Sequence, residues 1–265
     1  VDKWHGYDQG RIRIDGGFYA EYTSNHRLWE SLSDYAAEKG LGMQLHLAET
    51  QEEWDSCADR TGLGPAALLN CHRVFNVPAL VTGCACLEEE ERLLLGKKKV
   101  SVAATPIAAA KAGLPLTPIT QCVQAGMNVA LGTGGAIECG NLDMFEVIRA
   151  AAMTEQIAYV QTAQVTYAMA TVCGSRAQGR AAETGMLKEG LDADIILVDF
   201  SAPHLIPCHN VLSGLVFSAK GGDVAMTMVR GKILYQNGQF PTIDLKAAVE
   251  ELTAYAIPRL LSEKE

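Results

Sequence analysis

The stretch MQLHLAET, residues 43–50, decides how the fold is read. Met43, Leu45 and Leu47 are apolar and alternate with Gln44 and His46, the period of an extended strand with one buried face. The strand ends on His46, with Glu49 just past it. A histidine and a carboxylate at that place are groups that a metal-assisted hydrolase uses.

Working outward, TQEEWDSCADRTG (50–62) reads as a helix with Thr50 as its N-cap. Upstream, the amphipathic HRLWESLSDYAAEKG (26–40) places Gly40 where a helix C-cap falls. Strand-like runs recur at RIRIDGGF (11–18), ALVTGCA (79–85), VSVAATP (100–106) and NVALGTG (128–134), with helical LEEEERLLL and LDMFEVIRAAAM between or after them. Five short buried strands alternating with helices predict βαβ units and a parallel sheet. After residue 160 the pattern changes. Helical AQVTYAMATVCGSRAQG gives way to the strand GLDADIILVDF, then to VAMTMVRGKILYQNGQ, a hairpin turning near RG with a further turn at NG. A terminal helix is expected over 244–262. The expected organisation is an α/β barrel portion over 1–185, a β-sandwich-like segment over 186–240 and a C-terminal helix over 241–265.

Composition narrows the function classes. Of 265 residues 48% are hydrophobic and mean hydropathy is +0.07, a globular composition. A formal charge of −9, with no basic cluster larger than Lys97-Lys98-Lys99, argues against nucleic acid and anionic membranes as partners. No apolar run approaches the roughly 20 residues of a membrane span, and the N-terminal residues lack the apolar core of a signal peptide. The eight cysteines are scattered without CxxC pairs, the usage of small buried hydrophobes in a reducing cytosol. A cytoplasmic protein is expected.

The segments GFYAEYTS, LHLAET, LVTGCACLEEEE, VALGTGGAIECGNLDMFEVIRAA, ATVCGSRAQG, GMLKEGLDADIILVD, PHLIPCHN and DVAMTMVRGKIL follow one another in the order of a known family. The chain resembles the C-terminal two-thirds of a cytosine-deaminase-like amidohydrolase. Within that superfamily it is most similar to the group with S-adenosylhomocysteine and methylthioadenosine deaminases and triazine chlorohydrolases. The resemblance implies a partial (β/α)8 TIM-type barrel, its strands corresponding to the fourth through eighth, with a small C-terminal β-sandwich portion. Strands one to three have no counterpart in the sequence, which opens at Val1 inside the family's barrel.

The resemblance also implies a site. Family members act on non-peptide C–N bonds of purine- or pyrimidine-like N-heterocycles with Zn²⁺ or another divalent metal. They hold it by a His-x-His on the first strand, a histidine on the fifth and an aspartate on the eighth. His46 corresponds to the fifth-strand ligand, and Glu49 to the carboxylate that contacts the substrate ring and relays a proton. Tyr19, where the family has a histidine, is expected to line the cleft beside Glu49. The sixth-strand histidine falls at Gly83 in TGC, and the aspartate of GTDG falls at Gly134 in GTGG. A Ser-Asn pair of the seventh-strand loop falls at Ala108-Ala109.

Glycine offers no ligand atom, and one imidazole does not hold zinc where several deprotonated groups supply about 10–16 kcal/mol. The chain alone is therefore expected to bind no metal and not to run hydrolytic deamination. Two functions stay open: a metal-dependent aminohydrolase completed by a partner chain or an upstream segment, and a non-catalytic scaffold or ligand-binding relative that assembles as an oligomer. Open edges of a partial barrel predict a homo-oligomer or a partner supplying strands. By spacing alone His46 reads equally as a hydrogen-bonded histidine at a strand end, and Glu49 as a helix-start carboxylate favoured by the macrodipole. His72, His204 and His209 are expected to be structural, His5 and His26 to lie at the surface, and LEEEER (87–92) to be a solvated helix face. Asp192, Asp194 and Asp199 read as turn residues, and the glycines of GTGGAIECG lack the lysine and spacing of phosphate loops.

Overall fold

A computed structural model describes residues 1–154 and 162–261. Five strands, β1 (Gly16–Gly17), β2 (Met43–Leu47), β3 (Ala79–Gly83), β4 (Ser101–Ala104) and β5 (Asn128–Leu131), form one parallel sheet in sequence order. Each pairs with its predecessor in parallel, as the alternating sequence predicts. Helices fill the crossovers, among them His26–Lys39, Gln51–Thr61 and Glu89–Lys97, and Met144–Thr154 follows the last strand. This is the partial barrel that the sequence leads one to expect.

Pleating sorts the side chains. In β2, Met43, Leu45 and Leu47 turn under the helices, joining Val81, Val102 and Val129 in the main core, while Gln44 and His46 face the other way. The helix ends follow their sequence signals. The Thr50 hydroxyl accepts from the Glu53 amide, and Gly40 closes the His26–Lys39 helix at φ 66°.

β6 (Ile195–Val198), β7 (Val224–Val229) and β8 (Lys232–Gln236) form a separate antiparallel sheet, with the hairpin turning at Arg230 and Gly231. A small core of Phe145, Leu205 and Ala219 lies beside it. The terminal helical segment runs from Leu245 to Leu261; the expected end at 262 lies outside the described residues. The helix expected over 163–179 is two, Thr162–Ala170 and Val172–Ala177, separated at Thr171, whose ψ of −94° breaks the helical path. Among the described residues no helix is long and apolar enough to cross a membrane.

Two expectations need correction. Cys57, Cys84, Cys122 and Cys139 are buried, but Cys71 and Cys208 are exposed; all eight are free thiols. LEEEER is not wholly solvated. Glu91 is buried, accepting from the Trp54 indole at 2.7 Å and the Ala66 amide at 2.8 Å. Periodicity marked the exposed side of that helix but not the one carboxylate that three donors from elsewhere in the chain draw inward, the Ala67 amide being the third at 3.3 Å.

Candidate functional site

The C-terminal ends of the strands open into a cleft of about 590 Å³, lined among others by Tyr19, His46, Glu49, Gly83, Gly134 and Glu138. Another hollow, of about 710 Å³, lies at the opposite end against Met43, Ala79, Ser101 and Asn128. In a parallel βα sheet the first of these ends is where ligands sit, because the loops after the strands converge there.

Parallel pairing sets the pair at the centre. The His46 amide donates to the Tyr19 carbonyl at 2.7 Å, which brings the chain after β1 alongside the end of β2. The Tyr19 ring then stacks on the imidazole, with centroids 4.6 Å apart and planes 24° from parallel. On its other side His46 Nδ1 lies 3.0 Å from Glu49 Oε1.

Glu49 gets there through a strained turn. Ala48 is a non-glycine residue at φ 48°. Glu53, in the first turn of the next helix, holds that turn: its Oε1 accepts from the Ala48 amide at 2.9 Å and its Oε2 from the Glu49 amide at 2.8 Å. Both backbone donors of the turn are thereby satisfied by one carboxylate.

The electrostatics follow from these contacts. The hydrogen bond to Glu49 raises the His46 pKa above its ordinary value; burial opposes this, and the charges of Glu49, Glu138 and Glu53 add to it. Burial raises the Tyr19 pKa, with the Glu49 and Glu138 charges contributing. Burial also raises that of Glu53 against the pull of its two amide donors.

Gly83 and Gly134 occupy backbone that favours glycine, at φ 93° and 69°. A Cβ on Gly83 would stand 2.5 Å from Glu49 Cγ and 3.0 Å from the Leu47 carbonyl oxygen, while the Gly83 carbonyl itself accepts from Thr117 Oγ1 at 2.7 Å. A Cβ on Gly134 would stand 2.5 Å from Glu138 Oε2 and 3.2 Å from Ala108 Cβ. The space of each side chain that the resemblance would place here is taken by a glutamate.

An open catalytic zinc site needs about three protein ligands. Among the described residues no group of three His, Cys, Asp or Glu side chains is placed to hold a metal. His46 commits Nδ1 to Glu49, which leaves Nε2 as its remaining ring nitrogen, and Gly83 and Gly134 add nothing. The described residues by themselves do not fit a zinc ion.

The structure thus brings Tyr19, His46 and Glu49 together and leaves the other histidines outside. His72 pairs with Glu30 at 2.9 Å and His204 with Asp223 at 2.9 Å, while His5 Nδ1 bonds the Ile14 backbone. Asp192 and Asp194 lie within ion-pair distance of Arg180, so they do more than turn the chain.

Two residues escaped the sequence reading. Glu53 stands three residues after Thr50, the spacing of a capping box, and that spacing was its available signal, although its carboxylate goes to Ala48 and Glu49 instead. Glu138 sits four residues after Gly134, hidden in a glycine-rich stretch read as a turn; its Oε2 accepts from the Gly135 amide at 2.5 Å.

Comparison with known proteins agrees with this fold. The profile of the amidohydrolase family matches residues 1–234. The chain is 37% identical over 257 residues to a 5-methylthioadenosine/S-adenosylhomocysteine deaminase of Moorella thermoacetica, covering 96% of this chain and 60% of that protein. It is 35% identical to a 5'-deoxyadenosine deaminase of Methanosarcina acetivorans, covering 95% and 59%. A solved adenosine deaminase from Xanthomonas campestris, with bound zinc, superposes with a TM-score of 0.89 at 28% identity, over 95% of this chain and 58% of that one. The chain therefore spans about 60% of the length of the relatives it matches. From profile, relatives and superposition together, this chain belongs to the amidohydrolase family.

Proposed function

We propose that the cleft binds a small N-heterocycle of the adenosine-like class through Tyr19 and Glu49, and that the chain by itself does not hydrolyse it. The observation that carries this reading is the intact stack of Tyr19 on His46, with Glu49 bonded to the imidazole, beside one ligand position and one site-histidine position that are glycine, Gly134 and Gly83. A planar ring slides onto the exposed Tyr19 face, and Glu49 accepts from its N–H groups. The hydrogen bond between His46 and Glu49 holds the carboxylate in place and raises the proton affinity of the imidazole. The eight free thiols support a reducing, cytoplasmic setting.

The test pairs calorimetric titration of adenosine and 5'-methylthioadenosine with an ammonia-release assay in added zinc. Saturable binding, weakened by Tyr19→Ala, with ammonia at background is the expected result. Zinc-dependent ammonia release that His46→Ala abolishes would overturn the non-hydrolysing part, and no binding of either nucleoside would overturn the rest.

A second reading has a specific support, the deaminase names of relatives that are matched over about 60% of their length. In it, a partner chain or a second copy completes the barrel and supplies the remaining ligands. Ammonia release that appears only on adding such a partner, in step with a higher mass by light scattering, would favour it.

A further inference from the structure

We propose that Glu138 is a specificity-determining residue of this cleft. It takes the space of the side chain that Gly134 lacks, and it selects ligands that present an amino group over those that present a carbonyl oxygen. The inference rests on the binding reading above.

The first observation is positional. Glu138 Oε2 stands 2.5 Å from where a Cβ on residue 134 would begin. A carboxylate from one turn farther along the chain therefore fills the volume at the end of β5. It is not loose there: the Gly135 amide donates to the same oxygen at 2.5 Å, and Lys111 Nζ donates to the neighbouring Ile137 carbonyl at 2.6 Å, tying the Ala136–Cys139 turn to the wall of the cleft.

The second is that this carboxylate faces the others across the cleft. Glu138 lines it together with Glu49, His46, Tyr19 and Lys111, and its charge acts on both the His46 and Tyr19 side chains. Lys111, in the same cleft, offsets part of the charge of Glu49 and Glu138, so selection for net charge is weak. What remains is polarity. An ionised carboxylate only accepts hydrogen bonds, so a ligand N–H₂ is satisfied against Glu138 while a C=O in the same place sets oxygen against oxygen. Glu138 is exposed at the rim of the cleft, so the discrimination is the gain of one hydrogen bond against an oxygen–oxygen contact rather than a full desolvation penalty.

Adenosine and inosine serve as probes: they present an amino group against a carbonyl, and a ring N1 acceptor against an N–H donor, and the Glu138 variants separate what this carboxylate reads. Isothermal titration of the full chain is expected to give adenosine about tenfold tighter than inosine, the size expected of one charge-assisted hydrogen bond in a partly open cleft. In Glu138→Gln the amide presents donor and acceptor alike, and the preference is expected to fall to about twofold or less. Glu138→Asp keeps the charge but withdraws the carboxylate by one carbon. It should lose the preference too, and it serves if the first variant does not fold by thermal melting. A purely structural Glu138, capping its own turn, would lower the melting temperature and leave the nucleoside ratio untouched. That result, or equal binding of the two nucleosides by the native chain, overturns the proposal while leaving the binding reading intact. If neither nucleoside binds the native chain, the binding reading fails, and this inference with it.

Discussion

Replacing Gly83 by alanine isolates what the left-handed backbone and the neighbouring glutamate each contribute. At φ 93° an L-residue costs about 1–3 kcal/mol in backbone strain alone. The added Cβ would also lie 2.5 Å from Glu49 Cγ and 3.0 Å from the Leu47 carbonyl oxygen. The carbonyl belongs to β2, which is paired with β3 and cannot retreat, so Glu49 has to swing away. That breaks the 3.0 Å contact with His46, worth about 1 kcal/mol net. The expected loss of stability is about 2–4 kcal/mol in all. Gly62 provides the control: it has φ 73° with nothing within 4 Å of an added Cβ, so Gly62→Ala is expected to cost about 1 kcal/mol. Urea unfolding of the two variants measures the difference, and the His46 ring proton resonance should move toward its ordinary titration in Gly83→Ala only. Equal destabilisation within about 0.5 kcal/mol, with an unchanged His46 titration, would refute the reasoning. The same clash predicts that Gly83→His does not by itself restore a zinc site.

Two further outcomes follow from the Glu49 turn. The raised His46 pKa means that the folded state holds its proton more tightly than the unfolded chain, so this pair's contribution is fully present below pH ~6.5 and is lost as pH rises through the folded value. NMR titration of His46 should give a pKa above ordinary histidine that drops in Glu49→Gln; an unmoved midpoint contradicts the pairing. Glu53→Ala removes the acceptor of two backbone amides and is expected to destabilise the protein by about 2 kcal/mol and to weaken nucleoside binding, measured by urea unfolding and calorimetry. Native-like binding in that variant would show that the turn keeps its shape without the carboxylate.

The sheet was legible in the sequence because pleating writes itself as alternation: Met43, Leu45 and Leu47 inward, Gln44 and His46 outward. Thr50 and Gly40 were legible because a cap is a local event, set by a few neighbouring backbone groups. The cleft was only half legible. His46 and Glu49 are close in sequence, and family order identified them. Glu138 approaches His46 and Tyr19 from another strand end, and no periodicity reports such a meeting. Glu91 was misread for the same reason: its partners Trp54 and Ala66 lie 37 and 25 residues away. Pattern tells which face a residue occupies; tertiary geometry tells what waits opposite.

Glu53 and Trp54 are consecutive residues in the first turn of one helix, yet they serve opposite sides of it. The carboxylate fastens the bend at residues 48–49, and the indole reaches Glu91, whose other oxygen accepts from the start of the Pro65–Cys71 helix. That single helical turn therefore acts as a cross-brace between the cleft-facing bend and the helices Pro65–Cys71 and Glu89–Lys97. Displacing the bend has a mechanical path to the Trp54 ring, so indole fluorescence is expected to change in a variant that frees residues 48–49.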